Sequence, residues 1–360
     1  MDAMNTGTTG QEGTGARGAA ERAAAGAAMA SMFGGRQPDA EMTAVLQQMQ
    51  ASGAKPIETL DAKEARTQPT PADAVKALLK ERGASTDPEP VGDVDDRTID
   101  GPGGDIKIRV YQPASAVGDR LLPVVLYVHG GGWVIADLDV YDASPRAIAN
   151  AAQCVVVSTH YRQGPEHRFP AAHEDVFAAY QWVMANARDL GGDRSRIAVV
   201  GESAGGNIAA VVGINARDAG LPLPVHQVLV YPIADSDTTT ESYREMTQAK
   251  PLNTAMMQWF FDNYLSSPED GLTPAISLNR AADLSGLPPA TIINAELDPL
   301  RSDGERLAER LRQAGVQVEQ RTFDGVTHEF FGMATAVTKA KEAQRMAADA
   351  LVAAFGTAAR

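Results

Sequence analysis

The chain carries several unbroken apolar runs of strand length: Val124-Val125-Leu126-Tyr127-Val128, Cys154 to Ser158, Ile197 to Val200, Val228 to Val230 and Thr291-Ile292-Ile293. A strand with one wet face alternates apolar and polar residues, so a run without interruption has to be covered on both faces. Stretches suited to helices lie between the runs, around Ala147 to Ala152, Ala171 to Ala187, Ser203 to Ala216, Asp303 to Ala314 and Val337 to Phe355. Ile106-Lys107-Ile108-Arg109-Val110 alternates strictly, as a strand with one wet face does. This pattern predicts an α/β fold: a mostly parallel sheet between helix layers. With 360 residues, one large α/β domain and an accessory lobe fit the length.

The start of the chain reads differently. Residues 1–36 are rich in Gly, Ala and Thr and are expected to form a flexible or weakly helical leader. Ala28-Met29-Ala30 has the small residues of a cleavage site, but the stretch around it is Ala and Gly rather than Leu and Val. A secretory signal is therefore not expected, and the location is read as cytoplasmic. Residues 37–90 hold two helix-like segments, one opening at Asp39 with Met42, Val45, Leu46 and Met49 on one side, the other opening at Pro71 with Val75, Leu78 and Leu79. From Asp87 to Asp100, acidic residues outnumber the lone Arg97, and the stretch reads as a solvated linker or edge. The catalytic part is expected over residues 91–360, with an insertion at about 235–270 whose helix runs through Trp259-Phe260-Phe261. An insertion between two strands at that sheet edge is where a cap would sit.

Charge and cysteine usage exclude some functions. The formal charge is −14, from 32 basic against 46 acidic residues, which repels nucleic acid and anionic lipid. No stretch has the eighteen or so apolar residues of a membrane span. A single cysteine, Cys154, within an apolar run, rules out intrachain disulfides and multi-cysteine metal sites and reads as a buried thiol.

The strongest chemical signal is Gly201-Glu202-Ser203-Ala204-Gly205, which follows the run Ile197 to Val200 and opens a helix. A serine in a tight strand-to-helix turn is held with its oxygen exposed above the sheet, and the helix N-terminus favours negative charge developing there. Earlier in the chain, His129-Gly130-Gly131-Gly132-Trp133 ends another apolar run. Three glycines leave backbone amides uncovered, as an oxyanion site requires, and the amides of Gly130, Gly131 and Ala204 are the expected donors. A phosphate loop is the rival reading, but neither the Gly-Lys-Ser/Thr ending nor the dinucleotide spacing is present. His129 reads as a hydrogen-bonding support rather than a base. A serine nucleophile needs a base and an orienting carboxylate, which in this topology follow it in the order acid, then histidine. Asp298, after the run Thr291 to Asn294, and His328, after the strand-like Val318 to Phe323, meet that order. His160, His167 and His173 precede the serine, and His226 precedes a strand. Glu296 lies too close to a strand end, and Asp303 reads as an N-terminal helix residue. Trp133, Trp259 and Phe260 are the candidate substrate-lining residues.

Together these motifs resemble the hormone-sensitive-lipase family of α/β-hydrolase carboxylesterases. The resemblance spans roughly residues 37–356 and rests on HGGGW at 129–133, on the segment from Tyr161 to Pro170, on GESAG at 201–205, on Asp298-Pro299-Leu300-Arg301 and on His328. Glu202 stands where the family usually has Asp or Thr, Glu329 where it often has Gly, and Gln163-Gly164 replace Leu-Ala. The resemblance implies an α/β-hydrolase fold with a mostly parallel eight-stranded sheet flanked by helices, a helical cap made from the N-terminal helices and the insertion, and no metal or organic cofactor. It implies a serine carboxylesterase of short- to medium-chain esters with Ser203, Asp298 and His328 as its triad. It leaves a homodimer as an open expectation. An amidase or formamidase on the same triad is the alternative enzyme. A catalytically silent small-molecule binder is the alternative class, and the presence of all three triad residues weighs against it.

Overall fold

The computed structural model describes residues 26–115 and 120–356, so residues 1–25, most of the expected leader, lie outside it. One eight-stranded sheet organises the chain, in the order β1-β2-β4-β3-β5-β6-β7-β8. Its strands are β1 (Asp93–Gly101), β2 (Gly104–Gln112), β3 (Leu122–Val128), β4 (Val155–Thr159), β5 (Gly192–Glu202), β6 (Gln227–Val230), β7 (Ala290–Leu297) and β8 (Val318–Thr327). Only β2 runs against its neighbours, and β3 to β8 are parallel. The longer helices are α1 (Ala40–Ala51), α2 (Pro71–Glu81), α3 (Ala143–Ala152), α4 (Ala171–Asn186), α5 (Ala204–Asp218), α6 (Thr254–Tyr264), α7 (Arg301–Gln313) and α8 (Thr338–Ala354).

The unbroken apolar runs serve two cores at once. Along β3, Val124, Leu126 and Val128 pack with α4, α5 and α7, while Val125 and Tyr127 pack with α3 and α8. That is the period of two of a strand read on a sheet covered on both sides. Cys154 lies in the second core, where burial raises its thiol pKa and holds it protonated.

The acidic stretch before β2 turns out to be the edge strand β1, of which only Ile99 is buried. Charged side chains on a free edge hinder pairing with another chain, and Arg109 of β2 binds Asp96 at 2.6 Å and Asp139 at 2.8 Å. No helix among the described residues is long and apolar enough to cross a membrane.

The packed chain begins earlier than residue 37, where composition put the end of the leader. Residues 26–32 are helical, Phe33 is fully buried among Val45, Leu78 and Phe331's cluster, and Arg36 pairs with Glu296 at 3.0 Å. A window rich in Ala and Gly hides one aromatic anchor, and composition averages it away. At Asp39 the side chain caps α1 through the Met42 amide at 2.8 Å, and its own amide donates to the Gly325 carbonyl. Thr70 and Asp73 form a capping box on α2. Replacing Phe33 by Ala is expected to lower the unfolding free energy by about 3 to 5 kcal/mol, as a large cavity in a core does. Urea unfolding measures this, and an unchanged midpoint would make residues 26–36 an ornament on the fold.

Candidate active site

The end of β5 passes directly into α5, and Ser203 is the residue between them. Its backbone is held at φ 58°, ψ −119°, outside the region an ordinary side chain prefers. Neighbouring strand ends hold it there: the Ser203 amide donates to Val230 O at 2.9 Å, and the Ile233 amide donates to Ser203 O at 3.3 Å. The helix can come this close only because Gly205 has no side chain; a Cβ there would overlap the Val128 and His129 carbonyls. Sequence spacing suggested this turn, and the backbone has it.

The expected partners converge on Ser203. His328 Nε2 lies 2.9 Å from Ser203 Oγ, and His328 Nδ1 lies 2.7 Å from Asp298 Oδ2. Asp298 also accepts the Leu300 amide at 2.9 Å, which fixes its carboxylate. All three side chains are buried. Burial opposes a charge on His328, but the negative charge of Asp298 and its hydrogen bond, with Glu329 and Glu202 beyond, outweigh it and raise the imidazole above its ordinary pKa. A neutral imidazole with a strong orienting anion is suited to take a proton from a hydroxyl. The rival acids are occupied elsewhere. Glu296 pairs with Arg36 and accepts the Gly325 amide, and Asp303 accepts the amides of Ala234 and Asp235. The rival histidines are supports: His173 contacts Tyr264 and Asn207, and His226 contacts Thr291.

Ser203 and His328 open onto a cavity of about 610 Å³. Its walls include Gly131, Gly132 and Glu329 near the serine, and Met29, Met32, Leu46, Met49, Met257 and Phe260 further out. Here the structure corrects three expectations. Gly130 does not reach the cavity; its carbonyl accepts from His129 Nδ1 at 2.8 Å and from Tyr161 Oη at 3.0 Å. Gly131 and Gly132, one residue further along the same glycine run and both at positive φ, line the cavity together with Ser203. Phe260 packs so tightly on Gly132 that a Cβ there would overlap its ring. Trp133 is fully buried and stacks on Tyr264 at 4.9 Å, away from the cavity. Trp259 donates its indole N–H to Leu60 O at 3.0 Å and backs Phe260 edge-on. Of the three aromatic candidates, Phe260 alone lines the space. Large aromatics near a glycine loop read as pocket walls in sequence, but their size equally suits them to the core.

His129 plays the supporting part expected of it. Burial, then His160, push its pKa down to about 3, so it stays neutral and holds the loop's carbonyl.

One layer of the site was not visible beforehand. Glu202 is fully buried and accepts the hydroxyls of Tyr127, at 2.5 Å, and Tyr231. Burial and the nearby Glu329 push its carboxyl up to about 7. The Tyr231 ring in turn lies against His328, 4.4 Å between centroids. Glu329 accepts the Tyr141 hydroxyl at 2.5 Å, and its Oε1 is 3.8 Å from His328 Nε2. Glu202 and Glu329 stand out in the sequence as departures from the family pattern, but the tyrosines that bind them come from β3, the turn after β6 and the loop before α3.

Comparison with known proteins agrees with this geometry. Residues 125–332, more than half of the chain, match the family model described as the alpha/beta hydrolase fold. Carboxylesterase NlhH of Mycobacterium tuberculosis is 44% identical over 282 residues, 76% of this chain and 88% of that protein. An ethyl acetate hydrolase of Pseudomonas putida is 33% identical over 82% of this chain and 91% of its own length. Among solved structures, a hyperthermophilic esterase from Pyrobaculum calidifontis superposes with a TM-score of 0.79 at 38% identity, covering 88% of this chain and 98% of that one. The fold, the strand-to-helix serine and these relatives lead to one placement: the chain belongs to the hormone-sensitive-lipase-like carboxylesterases of the α/β-hydrolase superfamily.

Proposed function

We propose that this carboxylic ester hydrolase works through Ser203 as nucleophile, His328 as general base and acid, and Asp298 as the orienting carboxylate, on short- to medium-chain esters. The observation that most supports it is the continuous hydrogen-bonded chain Ser203 Oγ–His328–Asp298 Oδ2, at 2.9 and 2.7 Å, opening onto an apolar cavity. Ser203 Oγ attacks the ester carbonyl as His328 Nε2 takes its proton, and Asp298 fixes the tautomer by accepting Nδ1–H. The oxyanion of the tetrahedral intermediate lies on the amides of Gly131, Gly132 and Ala204, the last at the N-terminus of α5, where the helix has unpaired donors. His328 then protonates the departing alcohol, and water repeats the sequence on the acyl-enzyme. Relatives named for ester hydrolysis do not favour the amidase alternative. A cytoplasmic location belongs to the same reading and rests on the sequence of the leader.

Ser203→Ala is expected to keep the fold and lose ester hydrolysis by about five to six orders of magnitude. A phosphonate or sulfonyl fluoride should label Ser203 in a digest, and a label on another serine would displace it as the nucleophile.

The pH dependence follows from His328. Only its neutral form accepts the serine proton, and its folded pKa is raised, so activity falls as pH drops through a value above the ordinary 6.5 of histidine. A kcat/KM profile with its acid limb centred well below that value would contradict the base assignment.

The cap proposed from α1, α2 and the insertion around α6 closes the far side of the cavity. Because one methylene changes discrimination by only about 1–3 kcal/mol, length selection must come from the end wall. Acetate to hexanoate esters should therefore be preferred, with a steep loss by about ten carbons. Phe260→Ala should move the optimum to longer chains. Equal turnover of emulsified long-chain triglyceride and dissolved butyrate ester would show that no wall closes the pocket.

A further inference from the structure

Titratable groups reach His328 from several elements of the fold. Asp298 comes from the loop after β7, Glu202 from the end of β5, Tyr231 from the turn after β6, and Glu329, held by Tyr141, from the next residue in the chain. Asp298 engages Nδ1 and Ser203 engages Nε2. Glu202 is turned away, bound by Tyr127 and Tyr231. Glu329 differs from all of these. Its Oε1 lies 3.8 Å from Nε2, and it lines the cavity beside Ser203. At that distance there is no hydrogen bond in the resting state, so Nε2 is left free for the serine. Tyr141 holds the carboxyl where it is; burial raises the pKa of Glu329, and a charge on His328 together with the Tyr141 hydroxyl works against that rise and favours the carboxylate. The backbone adopts φ 69°, a conformation glycine takes without strain and glutamate does not, which marks this side chain as one the fold keeps at a cost.

We propose that Glu329 is a positioning residue for His328: a second carboxylate, on the Nε2 side, that stabilises the imidazolium formed when Ser203 gives up its proton. The proposal rests on the Ser203–His328–Asp298 reading above. As Oγ bonds to the acyl carbon, its proton passes to Nε2 and the ring gains a positive charge between two carboxylates. The same proton then goes to the departing alkoxide as the C–O bond breaks, and Glu329 exchanges none. Its contribution is electrostatic, so it strengthens the base and extends protonation of His328 to higher pH. The raised pKa of His328, to which Glu329 and Glu202 both contribute, agrees with this. Because Glu329 also hinders ionisation of Glu202, removing its charge lets Glu202 ionise more readily and offsets part of the effect.

The test is the pH profile of kcat and kcat/KM on a neutral ester, p-nitrophenyl butyrate, for the intact enzyme and for Glu329→Gln, Glu329→Gly and Tyr141→Phe. Stoichiometric phosphonate labelling of Ser203 is followed in each. Glu329→Gln should move the acid limb down by about half a pH unit or more, from the loss of one charge near 4 Å even in water-like surroundings. Its plateau kcat should fall several-fold with KM nearly unchanged, so that the two profiles converge toward acid pH. Glu329→Gly, which relieves the backbone, should show the same shift and carries the test if the Gln variant does not fold. Tyr141→Phe, which removes the donor that favours the charged carboxyl, should shift the limb the same way by less. A labelled enzyme whose Glu329 variants keep the parent limb, or lose rate by one constant factor at every pH, overturns the proposal and leaves the triad standing. Failure of the parent enzyme to label at Ser203 overturns the triad reading itself.

Discussion

The site depends on one backbone constraint: the sheet must turn into a helix within a single residue, and that residue carries the hydroxyl that His328 contacts. Ser203 can be held at φ 58° because its amide and carbonyl both bind the adjoining β6 segment, at Val230 and Ile233. The N-terminus of α5 is pressed against the end of β3, where Gly205 meets the Val128 carbonyl. The same contact puts the glycine loop after β3 beside the serine. The order β4-β3-β5-β6-β7-β8 then sets the ends of β7 and β8 on the other side, with Asp298 and His328 on their loops. Parallel strands make this possible, since all of their C-terminal ends lie on one edge of the sheet.

Around that turn the protein has built a polar interior of an uncommon kind. Two carboxyls, the buried Glu202 and the partly exposed Glu329, lie close to His328, the first bound by two tyrosine hydroxyls and the second by one. A buried carboxyl without a hydrogen-bond partner would be costly, and a charged one more so. The tyrosines answer the first demand. Partial neutrality of Glu202, whose carboxyl is pushed up to about 7, answers the second. The histidine therefore titrates as one member of a coupled set.

Much of this was legible in the residues. Unbroken runs such as Val124 to Val128 announced a sheet covered on both faces, because no polar side chain could survive there on either side. Chain order put Asp298 and His328 forward, and an open parallel sheet does bring the loops that carry them into one hydrogen-bonded chain with Ser203. What failed had a common cause: sequence gives a loop's composition but not its rotation. The glycine run was identified, yet which of its residues line the cavity goes with His129 and Tyr161 holding the Gly130 carbonyl, which leaves Gly131 and Gly132 on the wall. Trp133 was placed on the pocket by its neighbours, but Tyr264 from a distant helix holds it in the core. Phe33 and the tyrosine partners of Glu202 and Glu329 were hidden because their meaning lies in contacts far along the chain.

The wall that Met29, Met32, Leu46 and Met49 give to the cavity has a consequence for how the chain is made. This wall is tied to the other end of the polypeptide: Arg36 binds Glu296, the Asp39 amide binds Gly325 O, and Thr327 Oγ1 reaches Met42 Sδ. Contacts of such sequence separation form late and carry a large loop-closure entropy. During synthesis the first-made wall can pack on α2 early, through Leu46 against Val75, Leu78 and Leu79, but its ties to β8 must wait until the last strand has left the ribosome. A nascent chain that has reached β7 thus already holds Ser203 and every helix of the proposed cap, but lacks His328 and the β8 segment to which the first wall is tied, and the site closes only when the two ends meet.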